Sequence, residues 1–165
     1  MTLADANGMA RAEFVKALGW IFENSPWVAE RAWEVRPFAS TNELHAAMMA
    51  VVERAPPEEQ LTLLRAHPDL GTRARVSAAS AGEQKGAGID CLSAEDFEVL
   101  QEYNRQYREK FGFPFIFAVK GSTTGDIQLA LMLRLDSEPE EELHQALWEV
   151  CRIAWFRLED TFQEI

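Results

Sequence analysis

Apolar residues recur at intervals of three and four along most of this 165-residue chain, whereas alternation with a period of two is nearly absent. The longer spacing places apolar side chains on one face of an α-helix, while alternation would place them on one face of a strand. The pattern therefore predicts an all-α fold, a helical bundle of about seven to nine helices. Because 47% of the residues are hydrophobic, the chain can form one buried core, and we predict a single domain over residues 1–165.

Start and stop signals divide this pattern into segments. The predicted helices cover Ala10–Glu23, a short stretch with Ser25 as its cap and Pro26 as its first residue, a stretch after a capping box at Ser40 and Glu43, Glu58–Arg65, the residues from Ser93 to a stop at Gly112, Asp126–Leu135, and a long final helix from Pro139. One run, Phe113–Val119, is predicted to be extended and buried. Between His67 and Asp90 no hydrophobic face can be drawn.

Charge and targeting signals narrow the class of protein. The net charge of −11 repels nucleic acids and anionic membranes, so neither is an expected partner. No stretch is long and apolar enough to span a bilayer, and neither end resembles a sorting signal, so we expect a soluble, cytoplasmic protein. The two cysteines, Cys91 and Cys151, lack the spacing of a disulfide framework or a zinc site, and Cys151 is predicted to lie in the core.

The three histidines have different sequence settings. His45 and His144 lie within amphipathic helices, which favours a structural role for both. His67 follows a predicted helix and precedes Pro68, which disfavours helical geometry for it. Beside a glycine-rich segment it could act as a general acid or base, or it could simply cap the helix and interact with its dipole.

A second group of polar residues follows at Ser80-Ala81-Gly82-Glu83-Gln84. It could supply hydroxyl, carboxylate and amide groups to a polar substrate. However, Ser-x-x-Glu is also the capping-box pattern, and the residues alone favour that structural interpretation. A metal site formed by His67, Asp69 and Glu83 is a weaker alternative, because no helical ligand spacing supports it.

Taken in order, these residues resemble the 2-oxo-4-hydroxy-4-carboxy-5-ureidoimidazoline (OHCU) decarboxylase family over essentially the whole chain. The resemblance rests on His67-Pro68-Asp69-Leu70, Ser80-x-x-Glu83-Gln84 with Ala87-Gly88, Tyr107-Arg108-x-Lys110-Phe111-Gly112-Phe113-Pro114-Phe115-Ile116, Ser25-Pro26-Trp27-Val28 and Ile153-Ala154-x-x-Arg157-Leu158. It implies an all-α, homodimeric lyase of urate breakdown that forms (S)-allantoin from OHCU and needs neither metal nor organic cofactor.

The same resemblance implies the roles of individual residues. His67 would be the catalytic acid or base and Glu83 its partner carboxylate. The substrate-binding residues would be Pro68, Ser80, Gln84, the backbone of Phe115, Ile116, Phe117, Ala118 and Val119, and Arg157 for the substrate carboxylate, with Arg152 as the alternative to Arg157.

The chemistry suits these residue types, because the substrate's own imine and carbonyl groups can delocalise the electron pair left when carbon dioxide departs. Two other classes remain open from the sequence. One is a helical interaction domain without enzymatic activity, in which His67, Ser80 and Glu83 only end and cap helices. The other is a metal-dependent hydrolase of a related cyclic ureide.

Overall fold

The computed structural model describes residues 1–71 and 77–162. Over those residues the fold is all-α, as the periodicity predicts, with no strand assigned. Within these two ranges there are nine α-helices: α1 Leu3–Gly8, α2 Arg11–Leu18, α3 Trp27–Ala32, α4 Thr41–Arg54, α5 Pro57–Arg65, α6 Ala78–Gly86, α7 Ala94–Phe111, α8 Thr124–Leu135 and α9 Pro139–Thr161. Two short 3-10 helices cover Trp33–Val35 and Ile89–Cys91. No helix in this part of the chain is long and apolar enough to cross a membrane.

The chain divides into two compact units. The first comprises Met1–Ala66 together with the described residues from Val150 onward, and the second comprises the described residues of His67–Glu149. The division falls inside α9, so that helix contributes residues to both units. The prediction of one domain over residues 1–165 stays a prediction.

The core of the first unit is apolar. Helix α3 packs against α2 and α4. The buried residues of these three helices are Phe14, Leu18, Val28, Ala29, Ala32, Leu44, Met48 and Val52. Cys151 is buried here as predicted, and burial raises the pKa of its thiol to about 12. Apolar burial at helical spacing therefore provides the main stabilising contribution in this unit.

Two helix starts differ from the predictions. The capping box at Ser40 is only half formed: the Ser40 hydroxyl accepts from the Glu43 N–H at 3.1 Å, but the Glu43 carboxylate accepts from the N–H of Ala39. Ser25 does not cap α3, because its hydroxyl donates to the Glu23 carbonyl at 2.9 Å and Pro26 occupies the cap position. In both places a nearby backbone group competes successfully for the side chain.

The N-terminal region also differs. The predicted helix Ala10–Glu23 begins at Arg11 but ends at Leu18, although Ile21 and Phe22 remain buried beyond its end. Helix α1 was missed because it is short. Its signal is present in the sequence, since Thr2 and Asp5 form a reciprocal capping box at 2.9 and 3.1 Å.

The second unit follows the predicted boundaries closely. The Ser93 hydroxyl caps α7 by accepting from the Asp96 N–H at 3.1 Å, and Gly112 ends the helix with a φ of +78°. The predicted Phe113–Val119 run is neither helix nor strand and is buried except at Phe117, which is half-buried.

A polar network lies beside this run. The Tyr107 hydroxyl donates to the Glu142 carboxylate, which also accepts from Arg134 Nε at 2.6 Å. Burial raises the pKa of Tyr107 well above its usual value, and the bond to Glu142 raises it further. The Tyr107 ring also packs edge-on against Phe115, with centroids 5.4 Å apart. Tyr107 of α7 is therefore part of the core of this unit.

Candidate active site

His67 has the setting that the sequence predicts for it. It follows α5 directly, lies outside any helix and is only 6% exposed. The other two histidines differ: His45 Nε2 lies 2.8 Å from the Cys151 carbonyl, and His144 is exposed on α9. His67 is therefore the buried histidine whose backbone is not constrained by a helix.

The capping interpretation of Ser80 and Glu83 is wrong. The residue that caps α6 is Ser77, whose hydroxyl accepts from the Ser80 N–H at 3.1 Å. Ser80 therefore lies at the third helical position, with its side chain buried. The sequence hid this because Ser77 is followed three residues later by serine, and not by the glutamate or glutamine of a capping box.

Helix α6 turns a polar face inward. Ser80 is buried and Glu83 and Gln84 are half-buried, whereas Ala81 and Lys85 are exposed. A spacing of three and four residues places the first three side chains on one face of the helix. This face carries a hydroxyl, a carboxylate and a carboxamide, which are groups that can bind a polar ligand.

The His67 segment and α6 are joined by a hydrogen bond. The Gly71 N–H donates to Gln84 Oε1 at 2.9 Å. Because an N–H can only donate, this bond fixes the Gln84 carboxamide with its oxygen toward Gly71 and leaves the NH₂ end as the group that can meet a ligand. The sequence singled out both the His67 segment and residues 80–84, and this hydrogen bond connects the two.

Two residues of α7 also hold this segment, and the sequence predicted no role in the site for either of them. Asn104 Nδ2 donates to the Leu70 carbonyl at 2.9 Å, and Arg108 Nη2 lies 3.0 Å from Asp69 Oδ1. Asn104 occupies a position in α7 where the spacing of apolar residues predicts an apolar side chain. A polar residue there could have indicated a buried polar partner.

The Phe113–Val119 run is held by its own contacts. Arg134 Nη1 donates to the Ile116 carbonyl at 2.5 Å, and the Ala118 N–H donates to Glu149 Oε2 at 2.8 Å. The Val119 carbonyl accepts from the Ser122 N–H at 3.0 Å. These hydrogen bonds therefore fix the conformation of the run. The predicted substrate contacts of Phe115–Val119 would have to be made by its other backbone groups and by the half-buried Phe117.

Arg157, predicted to bind a carboxylate, lies in the first unit and is 3% exposed. Its Nη2 donates to Glu23 Oε2 at 3.0 Å, and its Nη1 donates to the carbonyls of Trp20 and Ile21 at 3.2 and 3.3 Å. Glu23 was not identified from the sequence. The predicted contact of Arg157 with a substrate stays a prediction, as does the alternative at Arg152, which is half-buried.

Metal ligation was the weaker sequence alternative for this region. Across residues 1–71 and 77–162, no group of three or more His, Cys, Asp or Glu side chains is placed to hold a metal ion. His67, Asp69 and Glu83 therefore do not form such a group.

Comparison with known proteins gives consistent matches. The sequence profile of the OHCU decarboxylase family matches residues 7–159. The chain is 48% identical over 162 residues to the 2-oxo-4-hydroxy-4-carboxy-5-ureidoimidazoline decarboxylase of Haloferax volcanii, covering 98% of this chain and 96% of that protein. It is 46% identical over 163 residues to the uric acid degradation bifunctional protein PucL of Bacillus subtilis, covering 99% of this chain but only 33% of that protein. The structure of an (S)-allantoin synthase superposes with a TM-score of 0.82 at 32% identity, over 98% of this chain and 54% of that one.

Proposed function

This chain belongs to the OHCU decarboxylase family, and we propose that it is the lyase that converts OHCU to (S)-allantoin and carbon dioxide in urate degradation. The observation that carries the proposal is the hydrogen bond from the Gly71 N–H to Gln84 Oε1 at 2.9 Å. It joins the segment that bears His67 to the inward polar face of α6, which bears Ser80, Glu83 and Gln84.

The reaction breaks one carbon–carbon bond and needs no oxidant or reductant. The electron pair of the departing carboxylate passes into the adjoining imine and carbonyl system of the ring, and a proton is then added to one face of the intermediate. Because the substrate provides this electron sink itself, the proposal requires neither a metal nor an organic cofactor. The enzyme has to orient the carboxylate, accept the hydroxyl proton and deliver a proton to one face.

We assign the proton transfers to His67, with Glu83 orienting its imidazole. The support is that His67 is buried outside a helix and that Glu83 lies on the inward face of α6. A buried imidazole near neutral pH can both accept and donate a proton, which a single residue must do to serve both steps.

The remaining roles follow the polarity of the groups. Ser80 and Gln84 bind the ureido or ring polar atoms, with Gln84 acting as a donor because its oxygen is bound to Gly71. Pro68 and the Phe115–Val119 run line the site. Arg157 binds the substrate carboxylate, and Arg152 is the alternative; alanine substitution of each would distinguish them by which one raises KM.

The test generates OHCU in place from urate with the two upstream enzymes and follows its ultraviolet decay and the circular dichroism of the allantoin formed. His67→Asn should lower the rate by about 100-fold or more. His144→Asn, on an exposed histidine of α9, is the matched control and should leave it unchanged. Near-normal turnover by His67→Asn would refute the role of His67, and wild-type protein that left the decay unchanged and the product racemic would refute the function. Loss of activity after exhaustive chelation would favour the metal-dependent hydrolase instead.

The native assembly proposed is a homodimer. Its support is an exposed apolar stripe on α8, formed by Leu129, Met132 and Leu133 at helical spacing. Light scattering after size-exclusion chromatography should give twice the chain mass, and Leu133→Glu should shift it toward the monomer. A monomeric wild-type protein would contradict the proposal. The proposed location is the cytoplasm, which fractionation of the native cells would test.

A further inference from the structure

One peptide bond, between Leu70 and Gly71, is held from two helices at once. Its carbonyl accepts from Asn104 Nδ2 of α7 at 2.9 Å, and its N–H donates to Gln84 Oε1 of α6 at 2.9 Å. Both polar groups of a single backbone unit are therefore bound by side chains that are distant from it in sequence. Such a pair of bonds fixes the position and the orientation of that unit together.

The steric surroundings add to this constraint. Gly71 has a φ of +76°, a left-handed conformation that residues with a side chain rarely adopt. A Cβ at this position would lie 3.0 Å from Leu100 Cδ2 and 3.6 Å from Gln101 Nε2. The backbone at Gly71 therefore lies close against α7.

Asn104 itself is poorly suited to a purely structural role. It is 2% exposed, and among the described residues its Oδ1 has no hydrogen-bond partner. Leucine has the same number of side-chain heavy atoms and the same branching, and it would place no unpaired acceptor in the core. What leucine could not do is donate to the Leu70 carbonyl, so that donor function accounts for asparagine at this position.

We propose that Asn104 is a positioning residue for His67, an inference that rests on the proposed function. His67 lies three residues before Leu70, and Pro68 between them has a fixed φ. Because this stretch is so short, a shift of the Leu70 carbonyl moves the His67 backbone with it, and the bond from Asn104 therefore helps to set the position of the imidazole. Asn104 acts through the backbone and has no contact with substrate in this proposal.

The first test is Asn104→Leu in the coupled assay with OHCU generated in place. We expect kcat to fall by about 10- to 100-fold with a smaller change in KM, because displacement of a catalytic group by about 1 Å has effects of this size. The enantiomeric excess of the allantoin should also fall, since a misplaced imidazole no longer directs the proton to one face. The excess is measured with enough folded enzyme that uncatalysed, racemic decay is negligible; under that condition a merely structural substitution would lower the yield of folded protein without changing the excess.

The matched control is Asn7→Leu. Asn7 binds the backbone of Phe38 in the same way, donating to its carbonyl at 2.8 Å and accepting from its N–H at 2.9 Å, but that backbone has no part in the proposed site. It should lose stability and keep kcat and enantiomeric excess. If wild-type protein does not accelerate the decay, the proposed function fails; if wild type is active and Asn104→Leu matches it in kcat and enantiomeric excess, the positioning role fails.

Asn104→Asp provides a second test that does not depend on the leucine variant folding. Burial raises the pKa of a carboxyl, and only its protonated form can donate to the Leu70 carbonyl. The kcat deficit relative to wild type should therefore shrink as pH falls. A variant with wild-type kcat, or with a deficit independent of pH, would overturn the proposal.

Discussion

Helices α4 and α6 begin in the same way and bury opposite kinds of residue. Each has a serine cap whose hydroxyl accepts from the backbone N–H three residues later at 3.1 Å, from Ser40 in α4 and from Ser77 in α6. Yet the buried residues of α4 are Leu44, Met48 and Val52, whereas the one buried residue of α6 is Ser80. The inward face of α4 stabilises the fold, while that of α6 gives up apolar burial for polar groups.

The two helices also differ in what keeps them helical. Helix α4 has 14 residues and no glycine, whereas α6 has nine and contains Gly82 and Gly86. Glycine lowers helix stability by about 1 kcal/mol relative to alanine. Helix α6 therefore depends more on its cap and on the Gln84 bond to Gly71. If this contrast is correct, substitutions in α4 should affect stability, and substitutions in and around α6 should affect activity.

The largest effect expected from this contrast is that of Leu44→Ala. Leu44 is fully buried, and emptying such a site should lower the free energy of unfolding by about 2–5 kcal/mol in a urea titration. The rate per folded molecule should not change. A stable variant with a reduced rate would show that α4 is not the purely structural element described above.

Gln84→Glu tests the opposite helix. The carboxylate can still accept from the Gly71 N–H, but it cannot donate to substrate, and leaving a buried acceptor without its donor costs about 1–3 kcal/mol. We expect kcat/KM to fall by about 10- to 100-fold with the melting temperature little changed. Ala81→Glu adds the same charge on the exposed side of α6 and should be nearly silent. Equal losses in the two variants would mean that charge, and not the donor, is responsible.

Gly71→Ala tests the backbone that connects α6 to the His67 segment. The left-handed conformation alone should cost about 1–2 kcal/mol of stability. Gly121→Ala shares that strain, with a φ of +80°, but its Cβ would meet no atom within 4 Å. The difference between the two variants in thermal unfolding measures the contact with Leu100, and only Gly71→Ala should also lower kcat. If both variants keep full activity, the close approach at Gly71 does not matter for the reaction.

The smallest effects come from the caps. Ser40→Ala and Ser77→Ala should each cost about 1 kcal/mol of stability. Only Ser77→Ala should also lower kcat/KM, because fraying of the first turn of α6 displaces Ser80. Both variants are assayed at one temperature at which each is fully folded, so that a difference in kcat/KM does not arise from a difference in stability. Equal activity of the two would remove the functional distinction between the helices.

The success of the sequence predictions depended on how local the signal was. The Ser93 cap and the Gly112 stop were predicted correctly, and the limits of α5 to within one residue, because each is encoded within a few residues. The cap of α6 was assigned to Ser80 because Ser80-x-x-Glu83 matches the capping-box pattern and Ser77-x-x-Ser80 does not. In the structure, however, Ser77 caps the helix. Part of the candidate site was found only through family resemblance, since polar residues at helical spacing can serve a cap or a ligand equally well.

The sequence by itself determined the all-α class, the non-helical setting of His67 and the polar character of residues 80–84, because periodicity, proline and side-chain chemistry act locally. Only the tertiary structure decided that this polar stretch faces inward, that Asn104 holds Leu70 and that Glu23 pairs with Arg157. Those pairs are 34 and 134 residues apart. Packing of whole helices brings such residues together, and no short-range pattern in one sequence records it.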